Sequence, residues 1–274
     1  MDYFIRGNFC AALFRDILEP IMEAEVRIYH QLGPECDPPS NSATKELKLL
    51  SEKEVSAKKN CLIGTAKTDK FGNYSFNLPQ TYRNTPIAID ILLKQAPRQK
   101  EGKHKPIQVF IRKLNPIWRS SDDCFIYRYN YSFPFEDWYQ IRKLFDAWTI
   151  YGKITLEGSG TSQVSGLEVT AMDVDWIHDD FLGKALTNDK GYFRIDYGSA
   201  DYKKTFLSPL INVETPVRTI RGPGVYFQVA DSDGAVIYKE ERKVGHYESR
   251  KNIPRCFFVD LHIAAENVPD KKRI

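Results

Sequence analysis

The chain has 274 residues, 42% hydrophobic, 13% aromatic and 27% charged, with a net charge of +3. That length suits one large or two ordinary domains with substantial cores. The small charge argues against a phosphate-binding surface for nucleic acid, and the lack of any run of 18 apolar residues leaves no spanning helix.

From the N-terminus, Tyr3 to Phe9 reads as a strand running into the apolar stretch Cys10 to Phe14. A basic region followed by an uninterrupted apolar core is missing there, so this segment reads as a first strand and not as a signal peptide. The expected location is therefore cytoplasmic, with incorporation into an exported assembly by another route left open. The five cysteines, Cys10, Cys36, Cys61, Cys124 and Cys256, are scattered and form no C-x-x-C pair. Such cysteines fit a reducing compartment, where they act as small apolar residues. A Cys36–Cys61 or Cys10–Cys124 bridge stays open.

Ala24 to His30 alternates apolar and polar residues with the period of a half-buried strand. Residues 33–60 then interrupt the pattern with Gly33-Pro34, Pro38-Pro39 and Ser40-Asn41-Ser42. They read as a solvated insertion holding a short helix over Thr44 to Val55, with Ser42 as its N-cap. Ile63 to Phe76 reads as a hairpin closed by Asp69-Lys70-Phe71-Gly72. Ile87 to Leu93 and Ile107 to Ile111 are further strands, and between them lies a basic loop with Lys100, Lys103 and Lys105. Phe125 to Tyr131 closes the first domain, expected over 1–131. In 132–146, Trp138, Ile141, Leu144 and Phe145 recur at helical spacing, with Glu136, Asp137, Arg142 and Lys143 on the other faces. A connecting helix over Pro134 to Phe145 follows.

The second domain is expected over 147–265, with 266–274 as a charged tail. It repeats the first. The run Phe181 to Ile195, turning at Asn188-Asp189-Lys190-Gly191, matches the earlier hairpin at a constant offset of 119 positions: Gly64 with Gly183, Thr68 with Thr187, Gly72 with Gly191, Tyr74 with Phe193. Upstream, Ile5 matches Ile150 at 145 and Val26 matches Val169 at 143. The falling offsets place the extra length of the first copy in 33–60. Asp231-Ser232-Asp233-Gly234 is one more turn between strands, and Cys256 to Ile263 is the last strand. Strands this short, with a turn every 8–12 residues, predict an all-β chain of two tandem antiparallel β-sandwiches joined by a short helix.

Ile150-Tyr151-Gly152, Ser165-Gly166-Leu167-Glu168-Val169, Leu182-Gly183 and Thr187-Asn188-Asp189-Lys190-Gly191-Tyr192-Phe193, with Trp176 and Phe181 ahead of Gly183, resemble transthyretin-like or carboxypeptidase-regulatory-like domains. The resemblance covers 149–196 and, in the first copy, 3–9, 24–30 and 62–76. It implies a prealbumin-like sandwich. That superfamily holds carriers, accessory domains, surface proteins and a few enzymes, so fold alone does not choose among them. The closely spaced histidine pair that the resemblance would require of an intradiol dioxygenase is absent. So is the tyrosine-arginine-glycine-serine tail of a hydroxyisourate hydrolase, because this chain ends Lys271-Lys272-Arg273-Ile274.

The strongest chemical constellation is Met172 to Asp180, where Asp173, Asp175, Asp179 and Asp180 offer oxygen ligands for calcium. The run lacks the glycine and terminal glutamate of an EF-hand loop, and its first reading is a polar inter-strand loop with one aspartate starting a turn. Among His30, His104, His178, His246 and His262 no pair has ligand spacing, so no transition metal, and no cofactor, is expected. His262 reads as a structural histidine. No G-x-S-x-G, P-loop or H-E-x-x-H signature occurs. These readings predict a non-enzymatic structural or interaction module, and the resemblance implies an accessory component of a larger bacterial assembly. It would take protein partners, and self-association is open, through a surface including Trp176, His178, Lys100, Lys103 and Lys105. The rival expectation is a glycan-binding or small-ligand-binding module, for which Trp176, Tyr151, Tyr192 and Tyr202 should form an exposed platform. An enzyme, third, would need His178 or His246 to meet carboxylates in a cleft.

Overall fold

The computed structural model describes residues 2–31, 47–99, 104–121, 123–158, 164–175, 179–202 and 220–268. The chain divides into two compact units, Met1–Pro97 with Gly102–Ile141, and Arg98–Glu101 with Arg142–Ile274. Both are built almost wholly of strands.

The first unit runs β1 (Asp2–Phe14), β2 (Ile17–Pro20), β3 (Glu25–His30), β4 (Lys48–Leu50), helix α1 (Glu52–Ala57), β5 (Leu62–Lys67), β6 (Asn73–Asn77), β7 (Ile87–Leu93), β8 (Ile107–Leu114), β9 (Arg119–Ser121), β10 (Cys124–Arg128) and β11 (Tyr131–Phe133). One sheet has the order β4-β8-β7-β3-β5; the other is centred on β1. Helix α2 (Phe135–Leu144) follows. The second unit runs β12 (Trp148–Glu157), β13 (Glu168–Asp173), β14 (Asp180–Leu186), β15 (Tyr192–Tyr197), β16 (Val225–Ala230), β17 (Val236–Lys239) and β18 (Cys256–Ala264). Its sheets are β15-β12-β18 and β14-β13-β16-β17. Ile150 and Ile154 of β12, Val169 of β13, Phe193 of β15, Phe227 of β16 and Leu261 of β18 share one buried core between them.

The central strands of the two units have the same order, to which the first unit adds β2, β4, β9 and β11. β12 lies between β15, antiparallel, and β18, parallel. β1 lies in the same way between β6 and β10. β13 sits between β14 and β16 as β3 sits between β5 and β7. To the antiparallel expectation the structure adds these parallel contacts, made where the first and last long strands of each unit meet, and a further parallel pairing of β1 with β11.

The repeated turn explains why the repeated sequence folds alike. Gly72 and Gly191 have φ of +79° and +78°. In both copies the residue three before the glycine is the acceptor that shapes the loop. Asp69 Oδ1 accepts the amides of Phe71 and Asn73 at 2.8 Å, and Asn188 Oδ1 accepts those of Lys190 and Tyr192 at 3.0 Å. One residue earlier, Thr68 Oγ1 accepts the Ala24 amide at 3.0 Å and Thr187 Oγ1 that of Leu167 at 2.9 Å. The glycine carbonyl then accepts from the central strand, Gly72 from Phe9 and Gly191 from Ile154, both at 2.9 Å. Asp231 and Gly234 form a third loop of the same kind between β16 and β17. A Cβ at Gly191 would lie 2.8 Å from the Ile154 carbonyl oxygen. Gly191→Val is therefore expected to cost about 1–3 kcal/mol, read as a lower melting temperature; an unchanged melt would count against this turn.

The 33–60 insertion differs from its expectation in the part described. Residues Lys48–Leu50 pair with β8 as an extra edge strand. The helix begins at Glu52 and not Thr44, because Ser51 and Glu54 form a capping box. Glu54 N–H donates to Ser51 Oγ at 3.3 Å, and Ser51 N–H to Glu54 Oε2 at 2.7 Å. Ser42 lies outside the described residues. Beyond the helix, Lys58 is 2% exposed, and its ammonium sits 2.7 and 2.6 Å from the two carboxylate oxygens of Asp90 on β7. Gln108 Nε2 donates to Asp90 Oδ2 at 2.7 Å and to the Tyr29 hydroxyl at 2.9 Å. The Tyr29 and Phe110 rings lie 4.2 and 5.3 Å from the ammonium. The insertion is thus fastened onto the outer face of a sheet, which is why β7 is buried on both faces.

Cys61, three positions after Lys58, is disulfide-bonded, whereas Cys10, Cys124 and Cys256 are free. Of the two bridges left open, Cys10–Cys124 does not form, and the reading of the cysteines as small apolar residues does not hold for Cys61. Cys36 lies outside the described residues. Alkylation without reduction, followed by peptide mapping, is expected to join the peptides carrying Cys61 and Cys36; recovery of alkylated Cys61 would refute the bond.

Helix α2 matches its expected span within two residues, and Trp138, Ile141 and Phe145 are fully buried. In the first unit the Trp138 indole donates to Glu19 Oε1 at 2.5 Å. Arg142, expected on a solvent face, is 1% exposed; in the second unit it donates to the Thr149 hydroxyl and lies 3.8 Å from Asp196. Helical spacing could not reveal this, since the carboxylate that draws Arg142 inward lies 54 positions away. No described helix is long and apolar enough to cross a membrane.

Candidate functional site

The aspartates of 173–180 stand at one end of the second sandwich. Asp173 and Asp180 are register partners at the ends of β13 and β14. Asp173 is 6% exposed and accepts the Gly224 amide at 2.7 Å. Burial pushes its carboxyl up to about 7 against the pull of that amide, and the charges of Asp180, Asp175 and Asp179 add to the rise. Asp179 is handled differently. Its Oδ2 accepts the Tyr226 hydroxyl at 2.7 Å, and its Oδ1 accepts Arg242 Nε at 2.6 Å. Although partial burial opposes it, these two donors hold Asp179 below the usual carboxylate range. Arg242 also donates to the Asp175 carbonyl. A calcium ion at these aspartates would have to displace a guanidinium from Asp179. Among the described residues no three His, Cys, Asp or Glu side chains are grouped to hold a metal.

Trp176 and His178 lie outside the described residues, as do Lys100 and Lys103. Lys105 is exposed, 3.9 Å from Glu52. His246 is exposed in a short 3-10 turn. His262 stands on the outer face of β18 with its Nδ1 3.1 Å from Glu157, and so is not a core residue.

The proposed aromatic platform divides. Tyr202 belongs to the core, edge-on to Trp148 at 5.5 Å, with its hydroxyl donating to the Arg221 carbonyl at 3.0 Å. Tyr151 and Tyr192 instead lie on the outer face of β15-β12-β18, 5.7 Å apart, and Tyr151 stacks at 6.3 Å on Phe258, which is 45% exposed. The period of two along β12 places Ile150 and Gly152 on the opposite face from Tyr151.

The edges of the sheets are the more distinctive feature. Among the described residues β14 pairs only with β13, so no described strand takes up the backbone donors and acceptors of its other side. Phe181 and Leu186, at its two ends, are 50% and 65% exposed. Lys184 between them is held at 2.8 Å by Glu168 of the neighbouring strand. At the far side of the sheet Val236 of β17 is 53% exposed. Gly183, in mid-edge, meets the Ile195 side chain so closely that a Cβ would lie 2.7 Å from it; this keeps β14 tight against the core at that point. The open edge was legible only as an expectation of the fold class, because strand order is not written in local sequence.

No family model matches the sequence, and no curated protein matches it. Several solved structures resemble it weakly. The Bacillus anthracis TIE protein matches 96% of this chain at 10% identity with a TM-score of 0.28, and this chain spans about a third (34%) of its length. The shaft pilin SpaA of Lactobacillus rhamnosus GG matches over 96% of both chains at 8% identity, TM-score 0.33. A minor pilin of Streptococcus agalactiae matches over 99% of both at 12%, TM-score 0.26. Values this low carry no argument about function; the all-β assignment rests on the strands themselves.

Proposed function

We propose that this chain is a non-catalytic structural or interaction module that docks into a larger protein assembly through the open edges of its sandwiches. The observation that carries the reading is β14, an edge without a strand partner among the described residues, with Phe181 and Leu186 left exposed at its ends. Unpaired donors and acceptors invite another strand unless charge, proline or a covering loop shields them, and the one basic side chain within β14, Lys184, is turned onto Glu168 of β13. A bacterial accessory role and a transthyretin-like identity for 149–196 belong to the same proposal. The transthyretin-like identity is supported by the matching order of the central strands of the two units and by the duplicated glycine turn. The disulfide at Cys61 favours an oxidising compartment over the cytoplasmic location expected from the sequence.

The test compares the intact chain with a Phe181→Lys/Leu186→Lys variant in co-purification from the native source. The expected result is a partner retained by the intact chain and lost by the variant, with equal melting temperatures. A partner retained by both would move the docking surface elsewhere, and a monomer that retrieves nothing would end the docking reading.

A further inference from the structure

The first unit carries a polar groove that the docking reading does not use. It opens between the start of β1 and the loop that follows β6, has a cavity volume of about 390 Å³, and is lined by Asp2, Tyr3, Gln80, Tyr82, Arg83 and Asn84 among others. That volume lies within the range of small-molecule sites, about 300–1,000 Å³.

The walls are held in place by contacts on both sides. The Leu78 amide donates to the Tyr3 carbonyl at 2.8 Å, which ties the loop to β1, and the Tyr82 amide donates to the Pro79 carbonyl at 2.9 Å. The Tyr82 hydroxyl donates to the Thr85 carbonyl at 2.7 Å. Tyr3 is packed edge-on against Tyr82 at 5.2 Å and Trp118 at 4.8 Å, and it stacks on Phe125 at 5.1 Å. Asn84 adopts the left-handed conformation, φ +55°, and its Oδ1 accepts the Trp118 indole at 2.7 Å. Arg83 Nη1 is aimed by the carbonyls of Gln80 and Tyr82 at 2.7 and 3.0 Å, leaving the rest of the guanidinium fork for a ligand.

The chemistry of the lining selects the ligand. A carboxylate and a guanidinium share the groove, so it suits neither a simple anion, which Asp2 repels, nor a simple cation, which Arg83 repels. The Gln80 amide offers a donor and an acceptor together, and Asn84, whose Oδ1 holds the Trp118 indole, adds its Nδ2 donor. Beside these groups lies a rigid aromatic wall. A neutral ring with hydroxyls around its rim and an apolar C–H face matches that combination. We propose that this groove binds a neutral saccharide unit, its C–H face on the Tyr3 wall and its hydroxyls on Asp2, Gln80, Arg83 and Asn84. The inference is independent of edge docking, since the groove and β14 share no residue.

The test is saturation-transfer NMR of the full chain with glucose, galactose, mannose and N-acetylglucosamine, each at millimolar concentration, with glucuronate and inorganic phosphate as separate arms. At least one neutral sugar is expected to receive saturation at its ring protons. Asp2→Asn and Gln80→Ala, both exposed positions, are each expected to weaken that binding about tenfold without shifting the melting temperature. Tyr151→Ser on the second unit should leave it unchanged. Binding by none of the neutral sugars, binding unaffected by both groove variants, or binding only by glucuronate or phosphate would each overturn the proposal.

Discussion

Replacing Asp90 by alanine is expected to produce the largest loss of stability of any single change considered for this chain. Asp90 is fully buried and Lys58 is 2% exposed. Burial lowers the Lys58 ammonium and raises the Asp90 carboxyl, both toward their neutral forms, while contact with the opposite charge works against each shift. Removing the carboxylate would leave an ammonium facing the Tyr29 and Phe110 rings, with no anion at the site and Gln108 stripped of an acceptor. Breaking such a buried pair from one side costs about 3–5 kcal/mol, a fall in melting temperature on the order of 10 °C for a unit of this size. The paired replacement Lys58→Met with Asp90→Leu removes both charges and keeps the volume, and it is expected to recover most of the loss. A thermal melt of the single and double variants decides the matter. Equal losses for both would show that packing, and not the uncompensated charge, is what the site contributes.

The second large effect is a dependence of stability on pH. The Asp173 carboxyl is raised to about 7 in the folded chain, against about 3.9 for an unperturbed aspartate. Between those values the unfolded chain has released this proton while the folded chain still holds it. Stability therefore falls as pH rises from about 4 to about 7. A shift of that size corresponds to up to about 4 kcal/mol over the window. The expected result is a higher melting temperature at pH 5 than at pH 8 at constant ionic strength. Asp173→Asn keeps an oxygen for the Gly224 amide and cannot ionise, so its profile should be flatter and its stability at pH 8 higher than that of the parent. An Asp173→Asn profile parallel to the parent's would assign the pH dependence to other groups.

Both effects sit at residues whose importance is only partly legible in the sequence. Asp90 interrupts the apolar run Ile87-Ala88-Ile89-Ile91-Leu92-Leu93, and a lone carboxylate in a buried strand is a signal that a partner exists. Which partner it is does not follow, because Lys58 lies 32 positions away in an insertion whose turn-rich composition reads as solvated. The acidic run 173–180 is visible as a cluster, yet the arginine that meets Asp179 comes from position 242, where nothing local marks it out. The groove of Asp2, Tyr3, Gln80, Tyr82, Arg83 and Asn84 is not legible in the sequence for the same reason. Its walls come from two segments with unremarkable sequences.

The sequence by itself determined the β class, the duplication and the turns. Those features depend on interactions within a few residues: an Asn or Asp side chain bonding amides two and four positions on, a glycine free to take positive φ, and alternation with the period of a strand. Tertiary structure alone decided which charges are buried in pairs, that Cys61 is oxidised, that Tyr202 turns inward while Tyr151 and Tyr192 face out, and that β14 pairs with β13 alone among the described residues. Each of these depends on contacts between residues far apart in the chain, and it is strand order, not local composition, that brings such residues together.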